Sequence, residues 1–174
     1  INKSSFLYGT IHMVKKEDFK LKEKVKRSFN SCTKLALEVD LNMSLKTKMD
    51  VAMSTLLPNN KSIDEFMSKD EFMKLKVYAV DSVGISEKKF NKYTRLKPFY
   101  FSSILIKESL GKIKSYDEEF HKMSSKNKMS EIGLESIQSQ LKIIDQTSIQ
   151  DQVKMLLEGL ENEEANSFDQ MVKA

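Results

Sequence analysis

The opening run Phe6-Leu7-Tyr8-Gly9-Thr10-Ile11-His12 is apolar over a strand's length and delivers a histidine to its carboxyl end. A second strand is predicted at Leu35-Ala36-Leu37-Glu38-Val39-Asp40. There a period of two puts Leu35, Leu37 and Val39 on one face, and Glu38 with Asp40 on the other. Between the two runs Leu21, Val25 and Phe29 recur every fourth residue, which predicts a helix and so a β-α-β opening.

After Asp40 the periodicity turns helical for a long stretch. A segment holding Met43, Met49 and Met53 closes at the turn Leu57-Pro58-Asn59-Asn60. Ser62 with Glu65 reads as a capping box, and Phe72, Leu75, Ala79, Val80 and Val83 form an apolar stripe that Gly84 ends. A helix is predicted from Lys97-Pro98 to Leu110-Gly111, because proline fits a helix's first turn, and an amphipathic helix from Asp117 to Ser125. A third short strand is predicted over Lys128-Met129-Ser130-Glu131-Ile132-Gly133-Leu134-Glu135. Ile137, Leu141 and Ile144 then mark one helix, Ile149, Val153, Leu156, Leu157 and Leu160 another, and Phe168, Met171 and Val172 a last.

The fold class that follows is α/β and predominantly helical. A small sheet, built from the N-terminal β-α-β unit plus the later strand, carries a large helical insertion over residues 41–126 within a single domain spanning 1–174. No repeat and no Pro/Gly/Ser-rich linker divides the chain. Connections between neighbouring strands are usually short, so an excursion that leaves after Asp40 and returns before Glu135 is expected to cap the strand ends. A helical layer over one sheet face is the other reading.

Composition narrows the function classes. The 174 residues, 40% hydrophobic and 31% charged, suffice for one domain with a real core and are too apolar for a disordered chain. No apolar run approaches the ~20 residues that span a bilayer. The net charge of +4 comes almost wholly from lysine, Arg27 and Arg95 being the only arginines, and the lysines are scattered; nucleic acid is therefore not expected as a partner. Cys32 stands alone, which excludes an internal disulfide and a cysteine metal cluster. The chain begins with Ile1 rather than Met and is expected to be a piece of a longer one, so a missing signal sequence carries no information on compartment. There is no G-x-S-x-G elbow, P-loop, G-x-G-x-x-G or H-E-x-x-H, so the common serine-hydrolase, nucleotide and zinc-helix chemistries have no sequence support.

Three predicted strand ends nevertheless carry chemistry: His12, Glu38 with Asp40, and Glu135. In open α/β sheets ligands bind beyond the carboxyl ends of the strands, and Gly9 removes a side chain that would hold a ligand away. One imidazole with carboxylates suits a divalent metal, a spare carboxylate serving as base for a bound water. The plainer reading of a strand-end histidine is a hydrogen-bonded structural residue, and of a carboxylate there a helix cap. His121, mid-helix among Glu118, Glu119 and Lys122, reads as a solvated or rim histidine rather than a ligand. The methionine-rich helices read as core filling, with an adaptable binding surface as the alternative.

In order along the chain, Gly9-Thr10-Ile11-His12, Leu37-Glu38-Val39-Asp40, Lys97-Pro98-Phe99, Tyr116-Asp117-Glu118-Glu119-Phe120 and Gly133-Leu134-Glu135-Ser136, followed by Gln140 and Gln152, resemble the TraB/GumN family, to which the TIKI metalloproteases are related. More distant relations are the ChaN-like haem-binding proteins and the erythromycin esterases. The resemblance implies a metal-dependent hydrolase or peptidase in which Gly9 and His12 match the first Gly-x-x-His motif, Glu38 the acidic strand end, and Asp117 and Glu135 the later acidic motifs. The second Gly-x-x-His that members typically carry near the C-terminus is missing, which is read as truncation, with a degenerate site as the alternative.

The expected function is hydrolysis of a peptide or ester bond in a peptide or small-molecule substrate, with His12 holding a divalent metal and Glu38 and Glu135 sharing the ligand and base roles. Gly9, Asp40 and Asp117 are expected in support. The alternative is a non-catalytic binding module for haem or another hydrophobic ligand. For the parent protein the resemblance implies an extracytoplasmic or membrane-associated location.

Overall fold

The computed structural model describes residues 4–165, so the last helix expected around Phe168, Met171 and Val172 lies outside the described residues. The elements run β1 (Val14–Lys15), α1 (Glu23–Asn30), β2 (Lys34–Val39), α2 (Leu45–Ser54), α3 (Lys69–Val77), α4 (Glu87–Tyr93), α5 (Pro98–Leu110), β3 (Ile113–Lys114), α6 (Tyr116–Lys126), β4 (Ser130–Glu135), α7 (Ile137–Ile144) and α8 (Ile149–Ala165). Helical turns of other pitch occur at Pro58–Asn60, Ile63–Phe66 and Tyr78–Ser82, the last a π turn. This is the predominantly helical α/β fold that the periodicities predict. The residues form two units: one takes in the described chain to Leu45 together with Leu110–Gln140, the other Lys46–Ser109 and the described residues from Leu141.

The first unit is built on a parallel pair of strands. β2 lies beside β4 with Leu35 opposite Glu131, Leu37 opposite Gly133 and Val39 opposite Glu135. Leu35 and Leu37 turn inward as the alternation requires, and Leu37 meets Phe29 of α1 and Phe120 of α6, whose rings stack with centroids 5.5 Å apart. The opposite face shows Ala36, Ile132 and Leu134 to solvent. Gly133 is fixed by a close approach: a Cβ there would stand 2.4 Å from the backbone nitrogen of Asp40.

One expectation needs correction here. Phe6–His12 joins no ladder and bends at His12, and the first strand is the two-residue β1 beyond it, which pairs antiparallel with β3 rather than with β2. Side chains take the place of ladder bonds. Tyr8 sets its ring edge-on to Tyr116 and Phe120, and Thr10 and His12 reach Asp117, so alternation along the segment survives without a strand partner. The small sheet therefore has two separate pairs in place of three neighbouring strands. His121 is a half-buried rim residue, one of the two readings its position allows. Its Nδ1 lies 2.8 Å from Oε1 of Glu131, whose side chain is only 5% exposed on the inner face of β4.

The second unit centres on Phe90, buried between Phe72 and Phe101, with Ile63, Leu75, Ala79, Ile85 and Leu105 around it and Val153 and Leu156 of α8 closing the cluster. Ser62 N–H donates to Glu65, and Ser68 and Glu71 form a reciprocal capping box at the start of α3. Gly84 and Gly111 end their helices with φ of 81° and 72°, a region costly for any residue with a Cβ. Gln152 is buried and bridges two elements: its Oε1 accepts from Phe99 N–H in the first turn of α5, and its Nε2 donates to the carbonyl of Thr147. The methionine-rich helix departs from expectation. In α2 Thr47, Val51 and Ser54 are half-buried while Met49 and Met53 face solvent.

Gly133→Ala should cost about 1–3 kcal/mol, because the added methyl meets backbone and not a flexible side-chain end. An unchanged urea midpoint would contradict the close approach. His121→Ala leaves the Glu131 carboxylate buried without its partner and should cost about 1–3 kcal/mol, against roughly 0.5 kcal/mol or less for Lys122→Ala beside it on α6. Equal losses in the two variants, measured by urea unfolding, would show that the pair adds nothing.

Candidate functional site

His12 sits in a bend just before β1, with its imidazole 74% exposed and a carboxylate at each ring nitrogen. Nδ1 is 3.3 Å from Oδ2 of Asp117, and Nε2 is 3.6 Å from Oε2 of Glu38. The first distance is near that of a hydrogen bond; the second is too long for one.

Each carboxylate is held by a further residue. Asp117 lies in the first turn of α6, where the unpaired N–H groups of the helix favour negative charge, and it accepts from Thr10 Oγ1 at 3.2 Å. Glu38 stands on the outer face of β2, and its Oε1 accepts from Nε2 of Gln140 on α7 at 2.5 Å. A chain of contacts thus runs Thr10, Asp117, His12, Glu38, Gln140, all within the first unit. Tyr8 lies alongside on the inward side of the same segment. Burial, and after it the neighbouring Tyr116 hydroxyl, push its phenol above the ordinary value and keep it a neutral donor.

The expected site residues are therefore partly gathered. His12, Glu38 and Asp117 come together, whereas Glu135 ends β4 opposite Val39. Partners across a ladder share a face, so Glu135 lies on the face opposite Glu38. Its carboxylate makes no hydrogen bond or ion pair among the described residues. Asp40 spends its Oδ1 on Asn42 N–H at 2.8 Å, closing the turn that follows β2. Gly9 has open space where a Cβ would stand, so the fold does not require a glycine there.

Two residues join the site that the sequence pattern assigned no role. Thr10 had a signal, since an extended chain puts it on the same side as His12 two residues on. Gln140 stands among the residues that carry the family resemblance, but nothing in the sequence pairs it with Glu38, about a hundred residues away.

The donors suit a divalent ion in kind but not in number. Two ligands each about 2.1 Å from a tetrahedral metal stand about 3.4 Å apart, close to the separation of His12 Nε2 and Glu38 Oε2. Asp117 on Nδ1 is then the carboxylate that orients a metal-binding imidazole. The ring nitrogens point away from each other, so Asp117 cannot join the same ion as Glu38. Among the described residues no group of three His, Cys, Asp or Glu side chains is arranged to hold a metal.

No curated protein and no solved structure matches the chain. The family model for TraB/PrgY/gumN matches residues 2–174, essentially its whole length. The chain whose Gly9-Thr10-Ile11-His12 run delivers this imidazole between two carboxylates belongs to the TraB/PrgY/gumN family.

Proposed function

We propose that this chain carries the acid–base rim of a metal-dependent hydrolase acting on a peptide or small ester. The observation that supports the reading is the imidazole of His12 between Asp117 and Glu38, open to solvent. With Asp117 accepting from Nδ1–H, the lone pair of the ring lies on Nε2, facing the carboxylate oxygen of Glu38 across 3.6 Å. Two lone-pair donors at that separation repel unless a cation lies between them. A proton or a divalent ion relieves the contact.

A divalent ion bound there would acidify a coordinated water. The chain's own residues do the rest. Asp117, steadied by Thr10, fixes the tautomer and orientation of His12. Gln140 occupies Oε1 of Glu38 and leaves Oε2 free to ligate or to take a proton from the attacking water. The high exposure of His12 leaves room for a substrate carbonyl. Glu135 is given no step.

Calorimetric titration with zinc or manganese tests the reading. Two protein ligands fall short of the about three that a catalytic centre uses, so binding should be weak, with Kd on the order of tens of micromolar or more. His12→Ala should abolish it, and Asp117→Asn should weaken it about 10–100-fold through loss of the orienting bond. Metal binding unchanged in His12→Ala would remove the proposal. A visible haem absorption band lost in His12→Ala, with no divalent binding, would establish the haem-binding module in its place.

A further inference from the structure

Helix α2 is built inside out. Viewed down its axis at about 100° per residue, Leu45, Met49, Met53 and Ala52 fall in one arc of about 100°, while Thr47, Val51 and Ser54 lie on the other side. In an ordinary surface helix the large apolar arc faces the protein. Here Thr47, Val51 and Ser54 are the half-buried residues, and Leu45, Met49 and Met53 are 76%, 61% and 68% exposed. The fold gains almost nothing from three long apolar side chains that are costly to leave in water.

Charge borders that arc. Lys46 falls about 20° beyond Met53, and Lys48 about 40° beyond Ala52 on the other flank. Neither lysine is in an ion pair among the described residues, and Asp50 is the helix's only acid.

We propose that α2 is an interfacial helix, which lays Leu45, Met49 and Met53 into the surface of an anionic bilayer while Lys46 and Lys48 reach the headgroups. An apolar arc flanked by lysines is the arrangement that lets the stems follow the acyl boundary and the ammonium groups stay among lipid phosphates. Unbranched methionine accommodates a fluid, irregular surface better than a fixed socket requires. A second copy of the chain fits less well. One helix of ten residues, about 15 Å long and offering three large side chains, is far below the roughly 1,200 Å² that a stable protein interface buries. A bilayer imposes no such threshold, since binding grows with whatever apolar area and charge are offered. The association is peripheral and reversible, and is consistent with the described helices, none of which is long and apolar enough to cross a membrane.

The test is co-sedimentation of the full chain with phosphatidylcholine vesicles, with or without phosphatidylserine as about a third of the lipid. Binding is expected only with phosphatidylserine, half-complete at on the order of a millimolar accessible lipid, and it should weaken as salt is raised. Met49→Glu with Met53→Glu should lower partitioning at least about tenfold, and Lys46→Glu with Lys48→Glu should do the same. Met73→Glu, an equally exposed change on α3, should leave it intact, as should His12→Ala, so failure here is separable from failure of the hydrolase reading. All four substituted α2 positions are exposed, so the variants keep the helical circular dichroism of the parent. No anionic-vesicle binding, or binding unchanged in the α2 variants, overturns the proposal. Concentration-dependent dimerisation in gel filtration, abolished by Met49→Glu, overturns it in favour of a second copy.

Discussion

Parallel pairing of β2 with β4 is the constraint on which the first unit rests. Two parallel neighbours cannot be joined by a tight turn, so the chain that leaves after Asp40 must travel and return before β4 can form. The pairing fixes which residues face inward: Leu37 toward Phe29 and Phe120, and Glu131 toward His121. It also fixes which residue faces out, since Glu38 reaches His12 only because its neighbours Leu37 and Val39 are committed to the other side. A slip of one residue would turn every one of these assignments over. Gly133 resists the slip, as it alone leaves space for the backbone at Asp40.

The two histidines of the chain have opposite fates, and solvent separates them. His121 meets a carboxylate that the inner face of β4 has removed from water, so the contact is part of the fold. His12 meets two carboxylates in the open, where ion pairs contribute little to stability and orientation is what the contacts provide. The residues holding those carboxylates, Thr10 and Gln140, come from opposite ends of the unit's sequence. The imidazole is therefore posed by the tertiary fold and not by its own segment.

The long helical stripes were legible because each repeats one physical demand several times. Leu75, Ala79 and their neighbours, or Ile149 through Leu160, bury one face, and a single exception does not erase the period. The opening segment mimics a strand because alternation reports which side a residue faces, and side-chain contacts with α6 satisfy it as well as a strand partner would. The α2 helix departs from its pattern because polarity alone assigns methionine to a core, whereas Met49 and Met53 face solvent. Where the site was legible, as at His12 and Glu38, the signal was chemical type at the end of an extended run. The partner of Gln140 and the face of Glu135 are not legible, because both depend on register between strands that are far apart in sequence. Two further motifs carry structure rather than chemistry: Gln152 answers the orphan N–H of Phe99 beside Pro98.

Synthesis order gives the β2–β4 pairing a cost in time. β2 emerges nearly a hundred residues ahead of its partner, a wait of about 5–20 seconds at ordinary elongation rates. Throughout that interval Leu35, Ala36, Leu37 and Val39 form an unpaired apolar edge, the kind of segment that templates association with other nascent chains. Lys34 and Glu38 interrupt the run with opposite charges at its start and near its end. Glu38 thus puts a charge into the unpaired apolar run before it ever faces His12.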